Sequence, residues 1–264
     1  MKEEYAKDLR HWLVEPQMKS EQRVPLLLDQ RQRALAEGRT ETGFRRIKGA
    51  AGSGKSQILA AKAAYLASQG QTVLIVNFNI TLGNFLRDQI VRAGLNYTKE
   101  KVLDNIEILH FHHWGKRVCS RLGKMEEYKM LGNSLLGDGL AELVESSLHE
   151  DDGRYPLFDA VLVDEGQDFR RSWWSALMQA VKPGGEKVLV ADYSQDLYQT
   201  ASAWTEGAML NAGFSGAWSD LGVSYRSPPA YVPYISDFAR QFLPSENRIL
   251  PRPNSQGTLF EKVN

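Results

Sequence analysis

Eight residues, Gly49 to Ser56, read G-A-A-G-S-G-K-S and complete the pattern G-x-x-x-x-G-K-[ST]. The spacing has a physical meaning. Gly49, Gly52 and Gly54 let the backbone curl so that several N–H groups point into one hollow, with Ala50, Ala51 and Ser53 contributing further amides. A helix starting near Gly54 adds its N-terminal dipole, so the hollow favours an anion. Lys55 is then expected to reach β- and γ-phosphates, and Ser56 to offer its hydroxyl to Mg²⁺. Further along, VLVDEGQD (161–168) sets two carboxylates directly after an apolar run. In a phosphate-loop enzyme Asp164 would hold the metal and Glu165 would polarise an attacking water. VLVADYSQDLYQ (188–199) repeats the arrangement, with Asp192 and Gln195 after an apolar run and Gln195 able to sense a γ-phosphate. LGVSYRSP (221–228) puts Arg226 where it could neutralise charge on a transferred phosphoryl group. Taken singly, these segments have plainer readings: a Gly/Ser turn, a charged strand end, an arginine in a surface ion pair.

The elements around them must supply the geometry. FRRI before the loop reads as a short strand, and QILAAKAAYLAS after it as a strong helix former. VLIVNF (73–78), IEILHF (106–111), FDAVLVDE (158–165) and KVLVAD are short apolar runs of the kind buried in parallel sheets, and WSDLGVS is a further candidate strand. Between them lie helical patterns. One places Leu82, Phe85, Leu86 and Ile90 on one face, with Thr81 as cap and Gly94 as stop. HWGKRVCSRLG reads as a short helix, and 126–148 as a helical stretch with Leu140, Leu143, Val144 and Leu148 in register. SWWSALMQAV is a helix broken by PGG (183–185), and PAYVPYISDFARQF is another. Trp173 and Trp174, being adjacent, should point in different directions, one into the core and one partly exposed. Strands alternating with helices predict an α/β fold, a mainly parallel sheet with helices on both faces.

Composition narrows the classes. The chain has 264 residues, 42% hydrophobic and 24% charged, enough for one large α/β domain. Lys+Arg and Asp+Glu both number 32, so any nucleic-acid contact must rest on local positive charge. The single cysteine, Cys119, excludes an intrachain disulfide and fits a reducing compartment. MKEEYAKDLR is no secretory signal, and no run approaches the ~18 apolar residues of a membrane span, so a cytoplasmic protein without membrane contact is expected. His110, His112 and His113 lack a cysteine or acidic ligand at useful spacing, which argues against a metal site there. No guanine-reading N-K-x-D occurs, which excludes a GTPase.

Together, GAAGSGKS, VDEGQD, ADYSQDLY and SYRS, in this order, resemble the motor motifs of UvrD/Rep-like superfamily 1 DNA helicases. The resemblance spans roughly residues 24 to 250. It implies a RecA-like P-loop lobe using ATP and Mg²⁺ and moving on single-stranded DNA, with RNA not excluded. LDQRQRA (28–34) is similar to the family's adenine-reading motif and points to Gln32, although QRQR alone is also a plain solvated helix face. By the same resemblance Tyr225 would stack on adenine, Phe78 and Tyr198 would meet bases, and His112 belongs to a T-F-H-S-like segment on the nucleic-acid side. The sequence departs from the family at Ala191 (usually glycine), Gly166 (usually alanine) and Thr200 (often a DNA-stacking tryptophan). The implied organisation is an N-terminal helical extension (1–23), an ATP-binding lobe (24–250) with a small helical insertion about 115–155, and a linker (251–264) entering a second lobe that lies outside this chain. Two functions remain: a DNA-stimulated ATPase motor lobe, or an ATP-dependent switch that keeps the ATPase core without processive unwinding.

Overall fold

The computed structural model describes residues 24–79, 82–98, 101–133, 137–192, 206–243 and 250–253. Its centre is a six-stranded sheet in which every pairing is parallel. The strands are β1 (Phe44–Gly49), β2 (Val73–Asn77), β3 (Ile106–His110), β4 (Phe158–Val163), β5 (Val181–Ala191) and β6 (Ser219–Leu221), in the order β3-β2-β4-β5-β1-β6. Parallel strands need crossovers, and the sequence supplies a helix for each. α1 (Gln30–Glu37) precedes β1, and α2 (Lys55–Ser68) and α3 (Leu82–Gly94) follow β1 and β2. α4 (Phe111–Arg121), α5 (Met125–Met130) and α6 (Gly139–His149) lie between β3 and β4. α7 (Arg171–Met178) joins β4 to β5, and α8 (Glu206–Asn211) precedes β6. A separate pair, β7 (Val223–Ser224) with β8 (Arg252–Pro253), flanks α9 (Val232–Phe242).

Alternation along the strands builds two cores. Val73 and Ile75 of β2 face α2 and α3, packing with Ile58, Leu59, Leu86 and Ile90. Leu74 and Val76 face the other side, with Phe111, Trp114, Val118, Leu140 and Val144. Between β3 and β4, α4 and α6 bury their apolar faces against the sheet. Trp114 is fully buried, and its Nε1–H donates to Tyr155 Oη at 3.0 Å.

Several elements differ from expectation for identifiable reasons. The helical stretch 126–148 is two helices, because Gly132 takes φ +52 after α5 and α6 starts only at Gly139. PGG does not end a helix: α7 stops at Met178, and PGG lies inside β5 as a bulge. Phe158 pairs with Val181 and Ala160 with Glu186, so the bulge absorbs extra residues of β5. WSDLGVS splits into β6 and β7, which belong to different sheets. Phe111 opens α4 instead of closing β3. Phe85 is 45% exposed, on the solvent side of α3, while Leu86 and Ile90 carry its core face. Both tryptophans are buried. Trp173 stacks on Phe111 with centroids 4.4 Å apart and donates to Gly137 O, while Trp174 packs on Phe214 and donates to Ala212 O. Their indole N–H groups each find a carbonyl, which is what lets two neighbouring bulky rings be enclosed. Thr81, the N-terminal extension (1–23) and residues 254–264 lie outside the described residues; of the linker only β8 is seen, pairing with β7.

Candidate active site

The carboxyl ends of β1, β5 and β4 lie side by side, and parallel sheets present ligands there. The phosphate loop follows β1, and Gly54 caps α2 with φ +85. Two glycines with positive φ also bring other segments against the loop. A Cβ on Gly52 would lie 2.5 Å from the Arg226 Cβ, and one on Gly54 would lie 2.4 Å from Gln32 Nε2. Both neighbours come from segments distant in sequence, so the loop is the hub on which they are assembled.

Lys55 is buried beneath that loop. Its Nζ donates to Gly49 O at 2.8 Å and Ala50 O at 3.0 Å, and it pairs with Asp192 Oδ2 at 3.1 Å. The Ser56 hydroxyl donates to Asp164 Oδ2 at 2.9 Å. Burial, and secondarily the neighbouring Glu165 charge, push the Asp164 carboxyl up to about 6, against the pull of Ser56, the Glu165 N–H and Lys55. Two hard oxygen donors side by side, one a buried carboxylate that resists ionising, suit a small divalent cation. Ser56 and Asp164 would hold Mg²⁺, which would neutralise negative charge on the phosphates.

The raised Asp164 value has a stability consequence. Between the ordinary carboxyl value of 3.8 and about 6, the folded state binds more protons than the unfolded one. Stability from this group therefore falls as pH rises through that window, and the penalty is complete above it. Asp164→Asn is expected to stabilise the metal-free protein by about 1–3 kcal/mol at pH 8 and by nearly nothing at pH 4. Urea melts at the two pH values check this. Equal effects at both would show that the carboxylate is not the strained group.

Glu165 follows with φ +54, alone among the described non-glycine residues in taking a positive φ. Such a conformation in a carboxylate is sustained only by its surroundings. Its Oε2 accepts from Gln167 Nε2 at 2.9 Å. Glu165, Tyr225 and Arg226 line one cleft of about 430 Å³ with the phosphate loop, Phe85 and Arg92. The SYRS segment rides on the loop: the Tyr225 N–H donates to Gly52 O at 2.8 Å, and Ser224 Oγ donates to Ala51 O at 3.3 Å. Tyr225 Oη donates to Asp29 Oδ2, and burial followed by that carboxylate raises the phenol above its ordinary value. Gln32 is buried at the same wall. Its amide closes the capping box of α1 by accepting the Asp29 N–H at 3.0 Å, and its Nε2 donates to Ser53 O at 3.4 Å.

The candidates thus fall into two groups. Ala51 to Ser56, Glu165, Tyr225 and Arg226 line one cleft, with Asp164 bonded to Ser56 and Gln32 to Ser53 behind its wall. Phe78 and His112 lie elsewhere, beyond the ends of β2 and β3, both against Trp173. Gln195 and Tyr198, with Thr200, lie outside the described residues. Three residues gained no role from the sequence: Asp192, which holds Lys55; Gln167, whose Oε1 accepts the Asp192 N–H at 2.8 Å; and Asp29. Their position beside the acidic box, the sensor strand and the Gln32 segment was the available signal.

Residues 28–155 match the UvrD/REP helicase N-terminal domain family. The match over residues 28–155 supports a UvrD-like helicase first lobe. The matched stretch holds Gln32, the phosphate loop, Phe78 and His112. The acidic box and SYRS lie beyond it and join the same cleft through the contacts above. A UvrD-like lobe is a helicase-family ATPase lobe that uses nucleotide and metal. No curated protein matches the chain. No helix among the described residues is long and apolar enough to cross a membrane.

Proposed function

We propose that this lobe binds Mg-ATP between the phosphate loop and the SYRS segment and couples its hydrolysis to movement on single-stranded DNA. The observation that carries the reading is the convergence of Lys55, Ser56, Glu165 and Arg226 on one cleft, with Asp164 bonded to Ser56 directly behind it. Lys55 draws on the β- and γ-phosphates, Glu165 takes a proton from water as that water attacks the γ-phosphorus and ADP departs with the bridging oxygen, and Arg226 offsets charge on the transferred group. Gln195 follows β5 and senses the γ-phosphate. Gln32 and Tyr225 bound the base end, where an amide can donate to N7 and accept from N6 of adenine. A second lobe closes the cleft from the Arg226 side.

The nucleic-acid path runs across the carboxyl ends of β2 and β3. Support comes from Phe78, half-buried with its ring 6.2 Å from Trp173 and nearly parallel to it. Next to it, His110, His112, His113, Lys116 and Arg117 border a hollow of about 450 Å³, and Arg87 borders a neighbouring one. Arg117 is itself paired with Glu107 at 3.1 Å, which leaves Lys116 and Arg87 as the simpler phosphate contacts. Tyr198 supplies a further ring from the sensor segment.

ATP turnover measured with oligo-dT, with oligo-U and without either tests the reading. Stimulation by oligo-dT that weakens as salt rises is expected. Turnover indifferent to both polymers favours the ATP-dependent switch, a reading supported by the way α4 and α6 pack against the sheet. Phe78→Ala is expected to weaken single-stranded DNA binding by about 1–3 kcal/mol while leaving ATP affinity without DNA unchanged. Normal DNA binding with a lowered melting temperature would assign Phe78 to the core.

A further inference from the structure

One buried side chain outside the phosphate loop bonds both to the candidate base and to the strand end that holds Lys55. Gln167 is 2% exposed. Its Nε2 donates to Glu165 Oε2 at 2.9 Å and to Asp168 Oδ2 at 3.3 Å. Its Oε1 accepts the Asp192 N–H at 2.8 Å. Asp192, fully buried at the end of β5, pairs in turn with Lys55 at 3.1 Å. The orientation of the amide is dictated by its partners. Turned over, it would set its oxygen against the Glu165 carboxylate and its NH₂ against a backbone N–H. Lysine, strand end, amide and acid are therefore joined by short contacts with no slack between them.

The strain at Glu165 gives this linkage something to hold. Its φ of +54 is disfavoured for a residue with a Cβ, and the bonds that anchor it are local: its N–H to Asp164 Oδ1 at 3.1 Å, and its carboxylate to Gln167. A Cβ on Gly166 would lie 2.6 Å from Leu189 Cδ1 of β5, so the turn carrying Glu165 and Gln167 is pressed against the same strand that carries Asp192. The Gln167 amide is bonded to the end of β5 through the Asp192 N–H at 2.8 Å.

We propose that Gln167 is a positioning residue that ties the Glu165 carboxylate to the end of β5, so that withdrawal of Lys55 from Asp192 by bound phosphates is passed on to the acid. This rests on the reading of Glu165 as general base. Gln167 acts through the Glu165 carboxylate it bonds to; it sets where the base stands and links that placement to the state of the lysine.

The test is a double-mutant cycle on the full chain with Mg-ATP and oligo-dT. Gln167→Met removes both arms at similar volume. Gln167→Glu keeps the acceptor for Asp192 N–H and sets a carboxylate against Glu165, so it supplies the readout if the methionine variant melts early. Both are expected to lower kcat by about tenfold or more with KM for ATP changed by less than about twofold, the signature of misplacing a reacting group by a fraction of an ångström. In a Glu165→Gln background the same substitutions are expected to cost almost nothing further, because the group they position is gone. An equal fractional loss in both backgrounds, or an unchanged kcat in Gln167→Glu, would overturn the relay alone. Wild-type turnover in Glu165→Gln itself would remove the general base and the relay with it.

Discussion

Replacing Lys55 by alanine is expected to reduce ATP hydrolysis to background. The ammonium group sits beneath the loop that should hold the phosphates, held by the Gly49 and Ala50 carbonyls and by Asp192. Removing it deletes the positive charge that γ-phosphate transfer needs, and the loop amides do not replace a full charge. The substitution has a second effect. Asp192 is fully buried and loses its lysine, so stability should fall by on the order of 3 kcal/mol. A dead variant could then be dead through unfolding. Lys55→Ala combined with Asp192→Asn separates the two, since the buried charge is removed together with its partner. The expected outcome is a melting temperature recovered most of the way to wild type with turnover still at background. If hydrolysis returns along with stability, Lys55 holds the fold and not the phosphates.

How far the sequence disclosed this arrangement depends on the range of the interactions involved. β1, the phosphate loop and α2 were legible because local rules specify them: glycines where φ is positive, a lysine and a serine at fixed offsets, and a helix former behind. β2 and β4 were legible as continuous apolar runs, since a strand covered on both faces leaves no polar alternation. Phe85 was misread because helical periodicity cannot tell a core face from the lip of a cleft; its ring borders the phosphate loop. Trp173 and Trp174 were misread because adjacency fixes only their relative direction. Gly137 and Ala212, from separate segments, supply the carbonyls that allow both to be enclosed. The PGG bulge needed knowledge of which β4 residue meets which β5 residue. Asp192 and Gln167 are the clearest case. Each stands in a recognisable motif, yet the bond between them joins residues 25 apart and exists only once β4 and β5 are neighbours.

Glu165→Gln is expected to uncouple binding from chemistry. Hydrolysis should fall by ~10²-fold or more, because the amide cannot take the proton of an attacking water. Binding of Mg-nucleotide should persist, since Lys55, Ser56 and Asp164 remain. The local structure should also survive: the new side chain keeps a carbonyl oxygen that can accept from Gln167 Nε2, as Glu165 Oε2 does now. Its own NH₂ has solvent available, because the acid borders the open cleft. The charge change works in favour of the metal. Glu165 is one of the influences that hold the Asp164 carboxyl up, so neutralising it should ease ionisation of Asp164 and leave Mg²⁺-dependent nucleotide affinity equal or tighter. Equilibrium titration with a fluorescent ATP analogue, alongside single-turnover hydrolysis, measures both quantities on one sample. Slow hydrolysis with affinity retained identifies Glu165 as the base. Affinity lost in proportion to rate would instead make Glu165 a metal or structural ligand and leave the attacking water without an assigned base.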